Sequence, residues 1–85
     1  MRRDAEFFNN REMDLVYIAK RLRDARTLEG VLDAAGFDYA VEPDTYQGGV
    51  VFRTERVGAF FYVLPEELER AKEVLRENGW KPHQL

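Results

Sequence analysis

The sequence contains no cysteine and no serine, and its single histidine is His83, near the end of the chain. Without cysteine there is no disulfide, no thiolate nucleophile and no cysteine-bound zinc or iron–sulfur cluster. Without serine there is no serine nucleophile, and a lone histidine lacks a companion at the spacing of a zinc site. We therefore expect no metal, no cofactor and no catalytic residue in this chain.

Long apolar runs are missing as well. No stretch approaches the roughly 20 apolar residues that a membrane-spanning helix needs. Residues 1–12 mix charges and lack the apolar segment of a signal peptide. The net charge of −3 provides no general attraction to nucleic acid or to anionic membranes. These features predict a cytoplasmic protein that does not cross a membrane and does not bind nucleic acid.

Carboxylates are plentiful, but they have an ordinary explanation. The glutamates near the C-terminus share one predicted helix with several cations, and Glu66 and Arg70 are spaced to pair along its surface. A solvated helix surface accounts for them without catalysis or metal binding. We therefore predict that the protein is not an enzyme. A small acid–base enzyme is the alternative, and it would need two carboxylates with raised pKa values in one pocket.

A strand that leads directly into a helix is the clearest pattern in the sequence. Residues 59–64 are all apolar, as in a strand that is buried on both faces. Pro65 suits the first position of the helix predicted at residues 66–78. Gly79 is placed to end that helix, which lets Trp80 fold back onto it.

The first half of the chain repeats this plan. Residues 14–21 form an apolar strand, and a helix is predicted at residues 24–35, with Asp24 as its cap and Gly36 at its end. Two strand–helix units are typical of a split βαβ, ferredoxin-like plan. Right-handed crossovers then place both helices on one face of the sheet.

Further strands complete the predicted fold. Residues 37–42 alternate apolar and polar side chains, and residues 49–64 form a hairpin of two strands that turns at residues 56–58. Residues 1–12 are an N-terminal arm, and residues 13–85 are a single α+β domain. The expected architecture is a two-layer ferredoxin-like sandwich, with a sheet of about four strands and two helices on one face.

A sheet with both helices on one face leaves its other face open, yet the two central strands are apolar on both sides. Either the arm or a second copy of the chain must cover that face, since contiguous apolar surfaces mark interfaces. The candidate interface residues are Phe7, Phe8, Val16, Ile18, Phe60 and Tyr62. We predict a non-catalytic regulatory or protein-interaction module, which forms a homodimer or binds another protein. A monomer whose arm covers the face is the alternative.

A second functional alternative concerns the segment from Pro43 to Gly49, whose residue types favour a loop. In a small-ligand-sensing domain this loop would hold the effector. Tyr46 would lie over the ligand, and Arg53 or Arg56 would meet its negative charge.

Two weaker patterns concern binding to anions. Four cations bracket the start of the first predicted helix: Lys20, Arg21, Arg23 and Arg26. They could hold an anion there, although Asp24 competes for the same backbone donors. Residues 16–18 and 58–63 are similar to the aromatic strand motifs of RNA-recognition domains. RNA binding is disfavoured because Val57 stands where that motif has a basic residue, and because the chain is acidic.

Most of the chain resembles the small bacterial signal-transducing domains of the DUF2007 type. The resemblance rests on the runs VYIAKRLRDARTLEGVLDAAGFDYAVEPD, GGVVF and VLPEELERAKEVLRENGW, and it extends over residues 15–80. It follows the order of helix, glycine and strand and includes no catalytic motif. It implies a compact α+β domain with a regulatory role. Ligand-sensing ACT domains are similar in plan, although Arg23 and Asp24 stand where those domains carry a glycine.

Overall fold

The computed structural model of the chain describes residues 1–9, 11–47 and 55–83, and the side chains of all of these except residues 5, 43–47 and 55–57. The main elements are β1 (Asp14–Ala19), α1 (Leu22–Ala34), β2 (Ala40–Gln47), β3 (Glu55–Val63) and α2 (Leu68–Glu77). A short 3-10 helix (Ala5–Phe8) precedes β1, and another (Pro65–Glu67) leads into α2.

The described strands form one antiparallel sheet in the order β1-β3-β2. The predicted α+β class with two helices is therefore confirmed, whereas the described residues form three strands and not four. The turn predicted at residues 56–58 is wrong, because β3 continues through this stretch and Gly58 pairs with Asp44 of β2. The first strand of the predicted hairpin, residues 49–55, lies outside the described residues except for Glu55.

β2 extends further than the sequence predicted, since Pro43–Gln47 is strand and not loop. The position of β2 at the edge of the sheet explains how it accommodates a proline. The backbone of Tyr39 exchanges hydrogen bonds with Met1 and Arg3 on the outer side. Alternate residues of a strand direct their backbone groups to the same side. Pro43 is in phase with Tyr39, so its missing N–H is not required for pairing with β3.

The first helix begins earlier than predicted. Arg21 is its N-cap, with an extended backbone and no side-chain capping hydrogen bond. Asp24 lies in the first turn and does not cap the helix. Because acidic side chains are favourable in the first turn as well as at the cap, the residue type alone did not fix the start.

Both helices end as the sequence predicted. Gly36 and Gly79 have φ angles of 81° and 83°, the left-handed conformation that glycine adopts without strain. The N–H of the following residue then donates to a carbonyl five residues back, from Phe37 to Leu32 at 3.1 Å and from Trp80 to Leu75 at 2.9 Å. These are Schellman motifs, which satisfy carbonyls left free at a helix end.

Both helices pack on the same face of the sheet and share one core cluster with it. The cluster contains residues of β1, of β3 and of the segment just before β2. Its buried members are Val16, Ala19, Ala25, Leu28, Leu32, Phe37, Tyr39, Phe61, Val63, Ala71 and Leu75. The hydroxyl of Tyr39 donates to the Asp33 carboxylate at 3.0 Å, which satisfies the polar end of a buried ring. Burial and this hydrogen bond both raise the pKa of Tyr39.

Candidate functional site

The candidate site is the face of the sheet turned away from the helices, which we call the second face. Residues directly opposite each other on neighbouring strands direct their side chains to the same side. The register therefore assigns these described residues to it: Leu15, Ile18, Ala40, Glu42, Phe60 and Tyr62. Glu42 is exposed and the others are partly buried. The solvent exposure of the second face is thus intermediate between that of a core and that of an open surface.

Val16 lies on the helix side, although strict alternation would group it with Ile18. The register between β1 and β3 shifts between Leu15 and Tyr17, which leaves Val16 as an extra residue. A bulge of this kind re-aims the side chain at the extra position. Val16 is fully buried in the core cluster. This corrects its sequence-based placement at an interface.

The N-terminal arm lies beside the second face, and one of its phenylalanines shares the lining of a hollow with residues of that face. Phe8 is 4% exposed but lies outside the core cluster, whereas Phe7 is 49% exposed. Phe8 lines a hollow of about 430 Å³ together with Met13, Ala40 and Tyr62. The two adjacent phenylalanines, which the sequence could not distinguish, therefore have different roles: Phe8 covers the sheet and Phe7 faces outward.

Backbone and charged contacts hold the arm in place. The N–H of Arg3 donates to the carbonyl of Tyr39 at 2.8 Å, and its Nε donates to Asp38 at 2.9 Å. Arg11 binds both carboxylate oxygens of Glu66 at 2.8 Å, which ties the end of the arm to the 3-10 helix that leads into α2. The hydrogen bond and charge of Arg11 lower the pKa of Glu66. Both side chains are exposed, so water and salt screen their attraction.

Sequence reasoning missed these anchoring residues. The Arg3–Asp38 and Arg11–Glu66 pairs join residues that are 35 and 55 positions apart. Local spacing along a helix or strand cannot indicate such pairs. The mixture of charges in the arm was the available signal, and it did not identify the partners.

The hollow under the arm has a mixed lining of apolar and charged side chains, among them Arg3, Arg11 and Glu42. Both guanidinium groups already bind carboxylates, so neither is free to neutralise an anionic ligand. Within the described part of the chain, no three histidine or acidic residues are grouped so that they could hold a metal ion. The hollow is an incompletely filled space between the arm and the second face.

The predicted ligand residues lie in a different setting from the one expected. The backbones of Tyr46 and Arg56 are register partners in the β2–β3 pair, and Arg53 lies outside the described residues. The segment that was expected to form a binding loop is strand as far as Gln47. The loop conformation predicted for residues 43–47 is therefore wrong, whereas an effector beside these residues stays a prediction.

The aromatic residues of the RNA-like pattern are divided between the two faces. Tyr17 pairs with Phe61 on the helix side, and its ring packs edge-to-face against Trp80 at 5.4 Å. Phe60 and Tyr62 remain on the second face. Bases stack on aromatic side chains that an open sheet presents, and Tyr17 is not presented in this way.

Neither α1 nor α2, the longer helices of the described chain, has the length and apolar character to cross a membrane. No protein-family model, no curated protein and no solved structure matches the chain.

Proposed function

We propose that this protein is a small, non-catalytic regulatory module of the cytoplasm that self-associates through the second face. The observation that supports this is the set of apolar residues on β1 and β3 that remain partly exposed opposite the helices: Leu15, Ile18 and Phe60. Apolar surface that a fold leaves in contact with water marks an interaction site when it is contiguous. Ile18 and Phe60 are directly paired across the strands, so these two side chains are neighbours in the patch.

The chemistry of the patch favours a second copy of the chain as the partner. A twofold interface brings the same surface of both copies together, so it must be complementary to itself. Leu15, Ile18 and Phe60 carry no charge and can face their own copies without repulsion. A stable interface buries about 800 Å² on each partner. Because the arm already occupies the β2 side of the face, we expect a dimer of modest affinity.

We also propose that the fold follows the ferredoxin-like plan, with the C-terminal tail in the position of the fourth strand. The N–H of His83 donates to the carbonyl of Val16 at 2.8 Å, which puts the tail at the free edge of β1. In the split βαβ plan the last strand pairs with the first in this way. The resemblance to signal-transducing domains of the DUF2007 type is part of the same hypothesis.

Light scattering of the full chain at several concentrations tests the proposed dimer. We expect a concentration-dependent dimer, and we expect Phe60→Thr to shift it to monomer, because threonine suits a strand but removes the aromatic contact. Phe7→Ser is the matched control, since it removes an exposed phenylalanine from the outer side of the arm. Equal dimerisation of wild type and Phe60→Thr would contradict an interface at the second face.

A chain that starts at Met13 distinguishes the dimer from the alternative in which the arm alone covers the face. Dimers formed both by this shortened chain and by the full chain support the proposal. A monomeric full chain, whose shortened form associates or becomes insoluble, would show that the arm is the natural cover.

A further inference from the structure

Most of the described basic side chains fall into two groups, and the remaining two, Arg76 and Lys81, are exposed without an ion pair in the described chain. The arm and α2 contain five cations that bind carboxylates: Arg2 with Glu29, Arg3 with Asp38, Arg11 with Glu66, Arg70 with Glu67 and Lys72 with Glu69. Four others lie around the start of α1, are all exposed, and make no ion pair within the described part of the chain: Lys20, Arg21, Arg23 and Arg26. In a chain with a net charge of −3, this leaves a local surface of opposite sign.

An exposed apolar residue lies in the middle of these cations. Leu22, between Arg21 and Arg23, is 69% exposed, the highest value among the large apolar residues of the described chain. Beside it is a hollow of about 290 Å³ with walls from the end of β1, the start of α1 and β3: Ala19, Arg21, Leu22, Ala25 and Ala59. This volume is ample for one aliphatic side chain, and apart from Arg21 the lining is apolar.

One acidic residue, Asp24, lies in the same turn of α1, but it does not neutralise these cations. Its side chain is partly buried and makes no ion pair with a described residue. Burial, and then the charge of Asp24, raise the pKa of Tyr17, whose ring lies on the helix side of the sheet. The basic side chains therefore remain available on the outside.

We propose that this surface docks an acidic peptide segment of a partner protein. It consists of the small apolar hollow, Arg21 in its lining, and the exposed cations Lys20, Arg23 and Arg26 next to the lining residues in sequence. One aliphatic side chain of the peptide enters the hollow beside Leu22, and its flanking carboxylates bind Arg21 and Arg23. A buried apolar anchor within charged contacts is the usual arrangement of an interface hot spot. Charge-assisted hydrogen bonds from arginine to carboxylate add orientation. The site is separate from the second face and does not depend on the proposed dimer.

Peptide is favoured over nucleic acid for two reasons. The hollow is small and aliphatic, whereas single-stranded nucleic acid needs aromatic platforms on which its bases stack. The chain as a whole is acidic, so a long polyanion would meet repulsion beyond the four cations.

Fluorescence anisotropy with three labelled probes tests the proposal on the full chain. The first probe is a short peptide with a central leucine between aspartates and glutamates, the second has serine in place of leucine, and the third is a single-stranded oligonucleotide. We expect the leucine peptide to bind about tenfold more tightly than the serine peptide, because it buries an aliphatic side chain. Its affinity should also fall with added salt. Equal affinity for the two peptides, or tighter binding of the oligonucleotide, would overturn the proposal.

Charge reversal shows whether Arg21 and Arg23 bind the peptide. Arg21→Glu combined with Arg23→Glu should weaken binding of the leucine peptide at least about tenfold, as expected for charged pairs at an interface. This variant should remain folded, since negative charge at the start of a helix is favourable. Arg76→Glu combined with Lys81→Glu is the matched control, with the same change of net charge at other exposed positions. An equal loss in the control would show that net charge alone determines binding, and the proposal would fail.

Leu22→Ala tests the contribution of the apolar hollow to peptide binding separately from that of the cations. Alanine keeps the helix, so folding is unaffected. It removes one wall of the hollow, and the preference for the leucine peptide over the serine peptide should shrink. An unchanged preference in this variant would place the apolar side chain elsewhere.

Discussion

The two faces of the sheet are built from neighbouring residues of one strand, yet they are covered in different ways. Phe61 and Val63 of β3 are fully buried beneath the two helices. Phe60 and Tyr62, which alternate with them, are only partly buried, and Tyr62 shares a hollow with Phe8 of the arm, which is itself buried. Composition along β3 is nearly the same on both sides. What differs is the cover, so the two faces should contribute very differently to stability.

The largest expected effect is a difference in the free energy of unfolding between two adjacent positions of β3, one on each face of the sheet. Phe61→Ala should lower the free energy of unfolding by about 3–5 kcal/mol, because it leaves a cavity in a closely packed core. Phe60→Ala should cost about 1–2 kcal/mol, since its ring is only partly buried. Urea unfolding followed by circular dichroism measures both. Similar losses at the two positions would mean that the second face is as well covered as the helix side.

The next effect concerns the arm. Phe8→Ala should lower the free energy of unfolding by about 2 kcal/mol, because a buried aromatic ring is lost while the rest of the arm can shift. Phe7→Ala is the control and should lower it by no more than about 1 kcal/mol, because this half-exposed ring packs edge-to-face on Phe8 and lies under the Arg3 guanidinium. The same unfolding experiment applies. If Phe7→Ala were the more costly change, the two rings would have exchanged places in solution.

The smallest effect is the dependence of the arm on pH. The folded pKa of Glu66 lies below its ordinary value of 4.5, so the contribution of the carboxylate is present above pH 4.5 and is lost as the pH falls through the folded pKa. At neutral pH, Glu66→Gln should therefore melt slightly below wild type, and the difference should vanish in acid and shrink in high salt.

Glu73→Gln is the control for this prediction, since Glu73 is an exposed residue of α2, the helix that follows Glu66, and has no ion pair in the described chain. Its melting temperature should follow that of wild type across the pH range. A difference for Glu66→Gln that persisted below the folded pKa would show that Arg11 holds the arm by something other than the glutamate charge.

Local chemistry was enough to predict several elements. Gly36 and Gly79 end both helices because only glycine enters the left-handed conformation without strain. Leu28 and Leu32 of α1 are four residues apart, the spacing of one helix face, and both are fully buried, as is Leu75 of α2. These features depend on residues within a few positions of each other.

The errors lie where distant residues decide the outcome. Residues 56–58 have the composition of a turn, yet Gly58 pairs with Asp44 and β3 continues. Strand formation depends on the neighbouring strand more than on intrinsic preference. For the same reason Pro43 could remain in a strand, because its position at the sheet edge requires no N–H.

The sequence by itself determined the α+β class, the helix ends and the presence of apolar residues on both sides of the sheet, because periodicity and glycine conformation are local properties. Only the tertiary structure decided which residues share a face. The bulge at Val16 directs this predicted interface residue into the core. Hydrogen bonds between residues 35 and 55 positions apart hold the arm beside the second face. Such choices depend on packing between segments that are far apart in the chain.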